Sequence, residues 1–106
     1  MGYQATLEIL ADPTRQTIVE RLRRGPAPVV DIASGLPVSR PAVSKHLKLM
    51  LEAGVVSVRR DGTRHLYALD LEKLAEVRTW LDGFWDDALQ RFKTQAERSH
   101  KRGARR

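Results

Sequence analysis

The sequence predicts a mainly α-helical fold that carries one β-hairpin, with its elements in the order α-α-α-α-β-β-α. Three observations support this prediction. Apolar residues recur every three or four positions along most of the chain, as they do on one face of a helix. Residues 56–69 instead alternate between apolar and polar around an Asp-Gly pair, which favours a hairpin turn. The length of 106 residues suits one domain.

The two N-terminal helices are predicted from apolar spacing and from helix-start signals. Tyr3 and Leu7 lie on one side of the first helix. Asp12 is a suitable N-cap for the second helix, and Pro13 fits its first turn. We expect this second helix to end near Gly25.

The next two helices form a helix-turn-helix pattern. A short helix is predicted over residues 30–35, and after a brief turn a fourth helix begins on the cap residue Ser39. Pro41 fits its first turn, and Gly54 is placed to end it. Two helices joined by so short a connection are typical of helix-turn-helix proteins. The hairpin that follows at once predicts a wing beside the fourth helix.

The last helix has an unusually wide apolar face. Asp70 can cap it, and its apolar side chains cover nearly half of the helix circumference, whereas packing on one neighbour needs a sector of only about 100°. We therefore expect a second copy of the chain to cover part of this face. The alternative is that the aromatic residues belong to the core of a monomer. The predicted dimer interface comprises Tyr3, Leu7, Trp80, Leu81, Phe84, Trp85, Ala88 and Phe92.

Positive charge is concentrated in two places. The chain has a net charge of +6. Residues 39–65 carry six Lys or Arg against two acids, a net of +4, and residues 98–106 carry five Lys or Arg and no acid. Such a distribution favours a polyanion as partner, although a basic solvated surface is an alternative. We expect one domain over residues 1–97 and a basic, disordered tail over 98–106.

The candidate DNA contacts lie on the outer face of the fourth helix and on the wing. Arg and Lys can bond the O6 and N7 atoms of guanine, and Ser and His can bond bases or phosphates. Arginines at the wing suit phosphates or the minor groove. A charged hairpin that resists edge-to-edge aggregation is the alternative, and for Arg59 the two readings are evenly balanced. The predicted DNA-binding residues are Ser39, Arg40, Ser44, Lys45, His46, Lys48, Arg60 and Arg64.

No arrangement of residues in the sequence predicts catalysis. Ser44 and His46 are two positions apart on a helix and do not face each other. The chain has no Cys, and we find no glycine-rich phosphate loop. No apolar run approaches the roughly 18 residues that a membrane span needs. We expect a soluble, cytoplasmic protein that is no enzyme, carries no cofactor and has no membrane partner.

Taken together, these motifs resemble the ArsR/SmtB family of bacterial winged-helix repressors. The resemblance implies a homodimer built on the first and last helices, which binds a palindromic operator in double-stranded DNA and blocks transcription. The matching stretches are residues 10–15 (LADPTR), 38–47 (VSRPAVSKHL), 52–56 (EAGVV) and 59–64 (RRDGTR), followed by Tyr67.

The sequence departs from the metal-sensing members of this family. Those members carry a Cys-x-Cys pair just before the Asp of the third helix. Asp31 matches that Asp, which puts Pro28 and Val30 at the two thiolate positions. A second family site uses Asp and His on the last helix, and the helix predicted to end at residue 97 has no His. The aromatic cluster of the last helix resembles a metal-independent branch. The effector is unknown, and an apolar ligand at the dimer interface is one candidate.

The sequence therefore predicts a homodimeric, sequence-specific repressor that binds double-stranded DNA without the cysteine metal site. The alternative is a winged-helix protein-interaction module that binds a partner protein. Such a module would show no salt-sensitive DNA binding and no dyad symmetry in its target. The charge concentrated between Arg40 and Arg64 favours DNA.

Overall fold

The computed structural model describes the backbone of residues 2–104 and the side chains of residues 3–100. The order α-α-α-α-β-β-α predicted from the sequence is confirmed. The elements are α1 (Gly2–Leu10), α2 (Pro13–Leu22), α3 (Val29–Ser34), α4 (Arg40–Glu52), β1 (Val56–Asp61), β2 (Arg64–Leu69) and α5 (Leu71–Ala104).

Three of the helices begin at the caps expected from the sequence. The carboxylate of Asp12 and the hydroxyl of Ser39 each accept a hydrogen bond from the backbone amide three residues later, at 3.0 Å and 3.2 Å. Asp70 accepts two amide hydrogens from the first turn of α5, at 3.0 Å and 3.2 Å. These caps satisfy backbone donors that have no partner within a helix. At the other end of α4, Gly54 adopts a φ of +77°, which favours glycine.

The hydrophobic core lies between α2, α3, α4 and the base of the hairpin, with one contribution from α1. Three of the buried core residues belong to α4 and lie one helical turn apart, so they define the side of α4 that faces inward. The buried core residues are Ile9, Ile18, Leu22, Ala27, Ile32, Val43, Leu47, Met50, Val55 and Val56.

The hairpin is a two-stranded antiparallel sheet with a two-residue turn. Val56 lies opposite Leu69 at its base. Asp61 pairs with Arg64 as the last residue of β1, so the turn consists of residues 62–63 and lies one residue later than the Asp-Gly pair suggested. Gly62 supplies the positive φ, +64°, that such a turn requires.

The hairpin is also attached to the helical part of the molecule. Ala27, in the link between α2 and α3, exchanges two backbone hydrogen bonds with Tyr67 of β2, at 3.0 Å and 2.9 Å. These bonds tie one edge of β2 to the link, while β1 pairs with its other edge. The base of the wing is therefore held by backbone hydrogen bonds on both sides of β2.

The last helix is long and projects beyond the rest of the molecule. Its 34 residues span roughly 51 Å, and the molecule measures 75 × 25 × 23 Å. The helix runs past residue 97, where we expected the domain to end, and it includes His100, so the expectation that the last helix has no His is wrong. The domain boundary remains a prediction, and residues 105–106 of the expected tail lie outside the described residues. None of the described helices has an apolar stretch long enough to span a membrane.

Candidate nucleic-acid interface

The outer face of α4 is polar and open to solvent. The inward face is used by Val43, Leu47 and Met50, which are completely buried. The predicted contact residues Ser39, Arg40, Ser44, Lys45 and Lys48 are all exposed. Helix α4 therefore has one apolar face in the core and one polar face that is open to a binding partner.

The wing presents arginines on an exposed hairpin. The side chains of residues 57–65 are exposed, and Arg59, Arg60 and Arg64 are among them. The Nε atom of Arg60 donates a hydrogen bond to the carbonyl oxygen of Gly62 at 3.3 Å, so this side chain folds back over its own turn. Arg59 and Arg64 make no hydrogen bond or ion pair with the described residues.

His46 occupies a different environment from its neighbours on α4. Its ring is half-buried, and its Nδ1 atom lies 3.5 Å from Nη1 of Arg15 on α2. The structure therefore places His46 against α2, whereas Lys45 and Lys48 extend into solvent. Contact between His46 and DNA remains a prediction.

Arg15 joins three helices, a role that its position in the sequence did not reveal. Its Nε and Nη2 atoms donate hydrogen bonds to the carbonyl oxygens of Ile9 and Glu8, at 2.9 Å and 3.1 Å. These carbonyls lie in the last turn of α1, where the regular helical hydrogen bonds end, and that of Glu8 also accepts the Ala11 amide at 3.3 Å. Because Nη1 also approaches His46, one guanidinium links the end of α1 to α4.

Arginines from α4 and from the wing meet at one cleft of about 270 Å³. Arg40, the first residue of α4, lines it from one side, and Arg64 and His65, at the start of β2, line it from another. Thr63 and Tyr67 complete the hairpin wall, and residues 28–30 form the third side. The sequence had indicated both arginines but gave no sign that they share a cleft.

The apolar face of α5 is partly covered by α1 and otherwise open. The ring of Tyr3 stacks on Trp80 with centroids 5.4 Å apart, and Trp80 meets Phe84 edge-on at 5.0 Å. Tyr3 and Leu7 are half-buried, so part of the predicted dimer interface packs within the protomer. Trp85 and Phe92 remain 68% and 71% exposed, and Leu81 and Phe84 are also exposed.

Leu89 belongs to the same open face, although it is not part of the predicted dimer interface. It is 65% exposed, four residues after Trp85 and three before Phe92. Residues at these separations are neighbours on a helix surface, so the spacing was the signal that could have found it. The open part of α5 is thus wider than the predicted dimer interface.

The described residues contain no group of three or more His, Cys, Asp or Glu side chains that could hold a metal ion. Asp12 has a pKa below its ordinary value of 3.8, chiefly because the Arg15 amide donates a hydrogen bond to its carboxylate; burial acts in the opposite direction, and the positive charge of Arg15 lowers the pKa further. The Asp12 carboxylate is therefore a helix cap.

Comparison with known proteins places these features in context. A family model described as a helix-turn-helix domain matches residues 10–59. The HTH-type transcriptional regulator Rv2034 of Mycobacterium tuberculosis is 55% identical over 82 residues, which cover 77% of each chain. An arsenical resistance operon repressor of Staphylococcus xylosus is 32% identical over 76 residues, covering 72% of this chain and 73% of the relative.

A solved structure is similar over most of the chain. It is the solution structure of a homodimeric winged helix-turn-helix DNA-binding domain from Mycobacterium bovis, a possible ArsR-family transcriptional regulator. The TM-score is 0.65 at 26% identity, and the match covers 83% of this chain and 82% of that domain.

Proposed function

The chain belongs to the ArsR family of winged helix-turn-helix transcriptional regulators, and we propose that it is a repressor that binds a palindromic DNA operator as a homodimer. Members of this family are regulators of transcription and not enzymes. The observation that carries the proposal is the basic surface formed by the exposed face of α4 and the wing, which meet at the cleft between Arg40 and Arg64.

The recognition helix α4 enters the major groove of double-stranded DNA. That groove is about 12 Å wide and admits one α-helix. Lys45, Lys48 and Ser44 are exposed on α4 and can reach base edges or phosphates there. The wing arginines, with Arg60 at the turn, contact the sugar-phosphate backbone or the adjacent minor groove.

Two copies associate through the open apolar face of α5 together with α1. The protomer leaves Leu81, Phe84, Trp85, Leu89 and Phe92 exposed on one helix, an apolar surface of the kind that marks protein interfaces. A two-fold dimer places its two recognition helices about 34 Å apart in successive major grooves, so its operator is palindromic. The Mycobacterium bovis domain, which is homodimeric, supports this arrangement.

The proposed repressor acts in the cytoplasm. It does not depend on a cysteine metal site. The chain has no Cys, and Pro28 and Val30 stand where metal-sensing relatives carry thiolates. Neither side chain can ligate a metal ion. Helix α5 extends far enough to include His100. Among the described residues, His100 has no second and third metal-binding side chain beside it.

The proposal is tested by titrating the protein onto its operator and onto a scrambled duplex at several salt concentrations. We expect a slope of about −0.9 in log affinity against log salt for each neutralised phosphate. Lys45→Ala should reduce the preference for operator by about 1–3 kcal/mol if Lys45 reads a base. Lys93→Ala, an exposed charge on α5, is the matched control. Equal affinity for both duplexes would contradict the proposal and favour a protein-interaction module.

A further inference from the structure

We propose that the cleft between Arg40 and Arg64 binds a single phosphate group of the DNA backbone, held by the two arginines together. This cleft is lined by Arg40, Thr63, Arg64, His65 and Tyr67 and by residues 28–30. The inference rests on the proposed function and names the chemistry of this part of the interface. It also changes the role of Arg40, which the sequence had placed among the readers of bases.

The charge of the cleft is uncompensated. Its lining includes two arginines and a histidine, but no Asp or Glu. Three arginines elsewhere in the molecule have partners: Arg15 donates to two carbonyl oxygens of α1, and Arg23 and Arg78 lie in ion pairs with Glu20 and Asp82. Within the described residues, neither Arg40 nor Arg64 has a hydrogen bond or ion pair. Two unpaired guanidinium groups in one cleft repel each other unless an anion lies between them.

Both arginines are carried by backbone that is fixed in position. Arg40 directly follows the Ser39 cap, whose hydroxyl accepts the Ala42 amide at 3.2 Å. Arg64 begins β2 opposite Asp61. The same strand is tied to the helical part of the molecule through Tyr67. Both arginines are thus carried by hydrogen-bonded backbone, so binding at the cleft should cost little backbone freedom.

The cleft has the chemistry of a phosphate site. Its volume of about 270 Å³ accommodates a phosphate group with water. A guanidinium presents a planar fork of N–H donors that matches phosphate oxygens, and the Thr63 hydroxyl is one more donor in the lining. Because one phosphate would be held from α4 and from the wing at once, it would fix how deeply α4 enters the major groove.

The first test is a double-mutant cycle with Arg40→Ala, Arg64→Ala and the double variant. Two arginines that hold one phosphate are coupled, so the double variant should bind at least about threefold more tightly than the product of the single losses predicts. Each single loss should be the same on operator and on scrambled DNA. Because the homodimer has two such clefts, the salt slope of the double variant should fall by about 1.8, the value for two phosphates, rather than by the roughly 3.6 expected if each arginine held its own phosphate.

The control for this cycle is Arg91→Ala, an exposed arginine on α5 outside the cleft, paired with Arg64→Ala. These two losses should multiply. Arg40→Lys and Arg64→Lys keep the charge but lose the donor fork, so they should recover part of the affinity. Thermal unfolding followed by circular dichroism verifies that each variant is folded. Losses that multiply for Arg40 and Arg64, or an Arg40→Ala loss confined to operator, would overturn the inference.

A second test locates the phosphate in the DNA. Neutral methylphosphonates are placed one at a time along the operator, and affinity is measured for the wild type and the double variant. We expect one position in each half-site where the substitution weakens the wild type but leaves the double variant unchanged. If every position that weakens the wild type weakens the double variant equally, the inference is wrong.

The same chemistry would also bind free phosphate, and a third measurement separates the two sources. Inorganic phosphate is added to the protein–operator complex, with sodium chloride at matched ionic strength as the reference. If the cleft serves the DNA backbone, free phosphate competes for it, so phosphate should weaken operator binding more than sodium chloride does, and this excess should disappear in the double variant. Phosphate that binds the free wild-type protein but weakens operator binding no more than sodium chloride would assign the cleft to a free anion. Failure of the wild type to prefer operator refutes the proposed function, whereas multiplicative losses refute only this inference.

Discussion

Replacement of Trp85 by Ala tests the proposed dimer directly. Trp85 is 68% exposed in the protomer, so its indole makes few contacts with its own chain. The substitution should therefore leave the protomer folded and weaken only the association of two copies.

The size of the effect follows from the exposed area. A Trp side chain can bury up to about 250 Å², so the exposed part corresponds to roughly 170 Å². At about 25 cal/mol per Å², complete coverage would contribute roughly 4 kcal/mol per protomer. If the partner covers half of that area, the symmetric dimer loses about 4 kcal/mol when both indoles are removed. Its dissociation constant then rises by about a thousandfold.

Analytical ultracentrifugation over a range of protein concentrations measures this change. Val58→Ala is the control, because Val58 is an exposed apolar residue on β1, outside the face of α5. That variant should dimerise like the wild type. A Trp85→Ala protein with unchanged self-association would show that a second copy does not cover this face, and a wild type that stays monomeric would refute the dimer altogether.

Three further predictions concern the scaffold that holds the interface. Arg15→Ala removes two hydrogen bonds to the end of α1 and should lower the free energy of unfolding by about 1–3 kcal/mol in urea titrations; a change near zero would contradict the role given to its guanidinium. Leu47→Ala creates a cavity at a completely buried site and should cost about 2–5 kcal/mol by the same measurement, so a mild effect would place Leu47 outside the core. Because the pKa of Asp12 is lowered by the Arg15 amide, its contribution to stability is complete above pH 3.8 and is lost as the pH falls through the folded value. Asp12→Asn keeps a cap but cannot titrate, and its acid unfolding should lack that component; identical acid profiles would refute the assignment.

The parts of the fold predicted from the sequence depend on short-range signals. Asp12, Ser39 and Asp70 act on amides within three residues, so each cap could be recognised without knowledge of the rest of the molecule. The hairpin was predicted for the same reason. Its turn lies one residue later because strand pairing extends to Asp61 and Arg64.

The parts that the sequence did not reveal depend on contacts between distant segments. Arg15 lies 31 positions before His46, and its role arises only because α1, α2 and α4 converge there. Arg40 and Arg64 share a cleft because β2 is tied to the link before α3, a pairing that no local pattern encodes. Leu89 lies outside the predicted dimer interface because the open surface that α1 leaves on α5 is wider than that interface.

Selection of bound sequences from random DNA duplexes tests the central claim most directly, since it examines DNA binding, sequence preference and symmetry together. We expect enrichment of one palindromic sequence whose half-sites lie about 10 base pairs apart, centre to centre, as required by two recognition helices in successive major grooves. Recovery of unenriched sequences, or of a single half-site without dyad symmetry, would contradict a homodimeric, sequence-specific repressor.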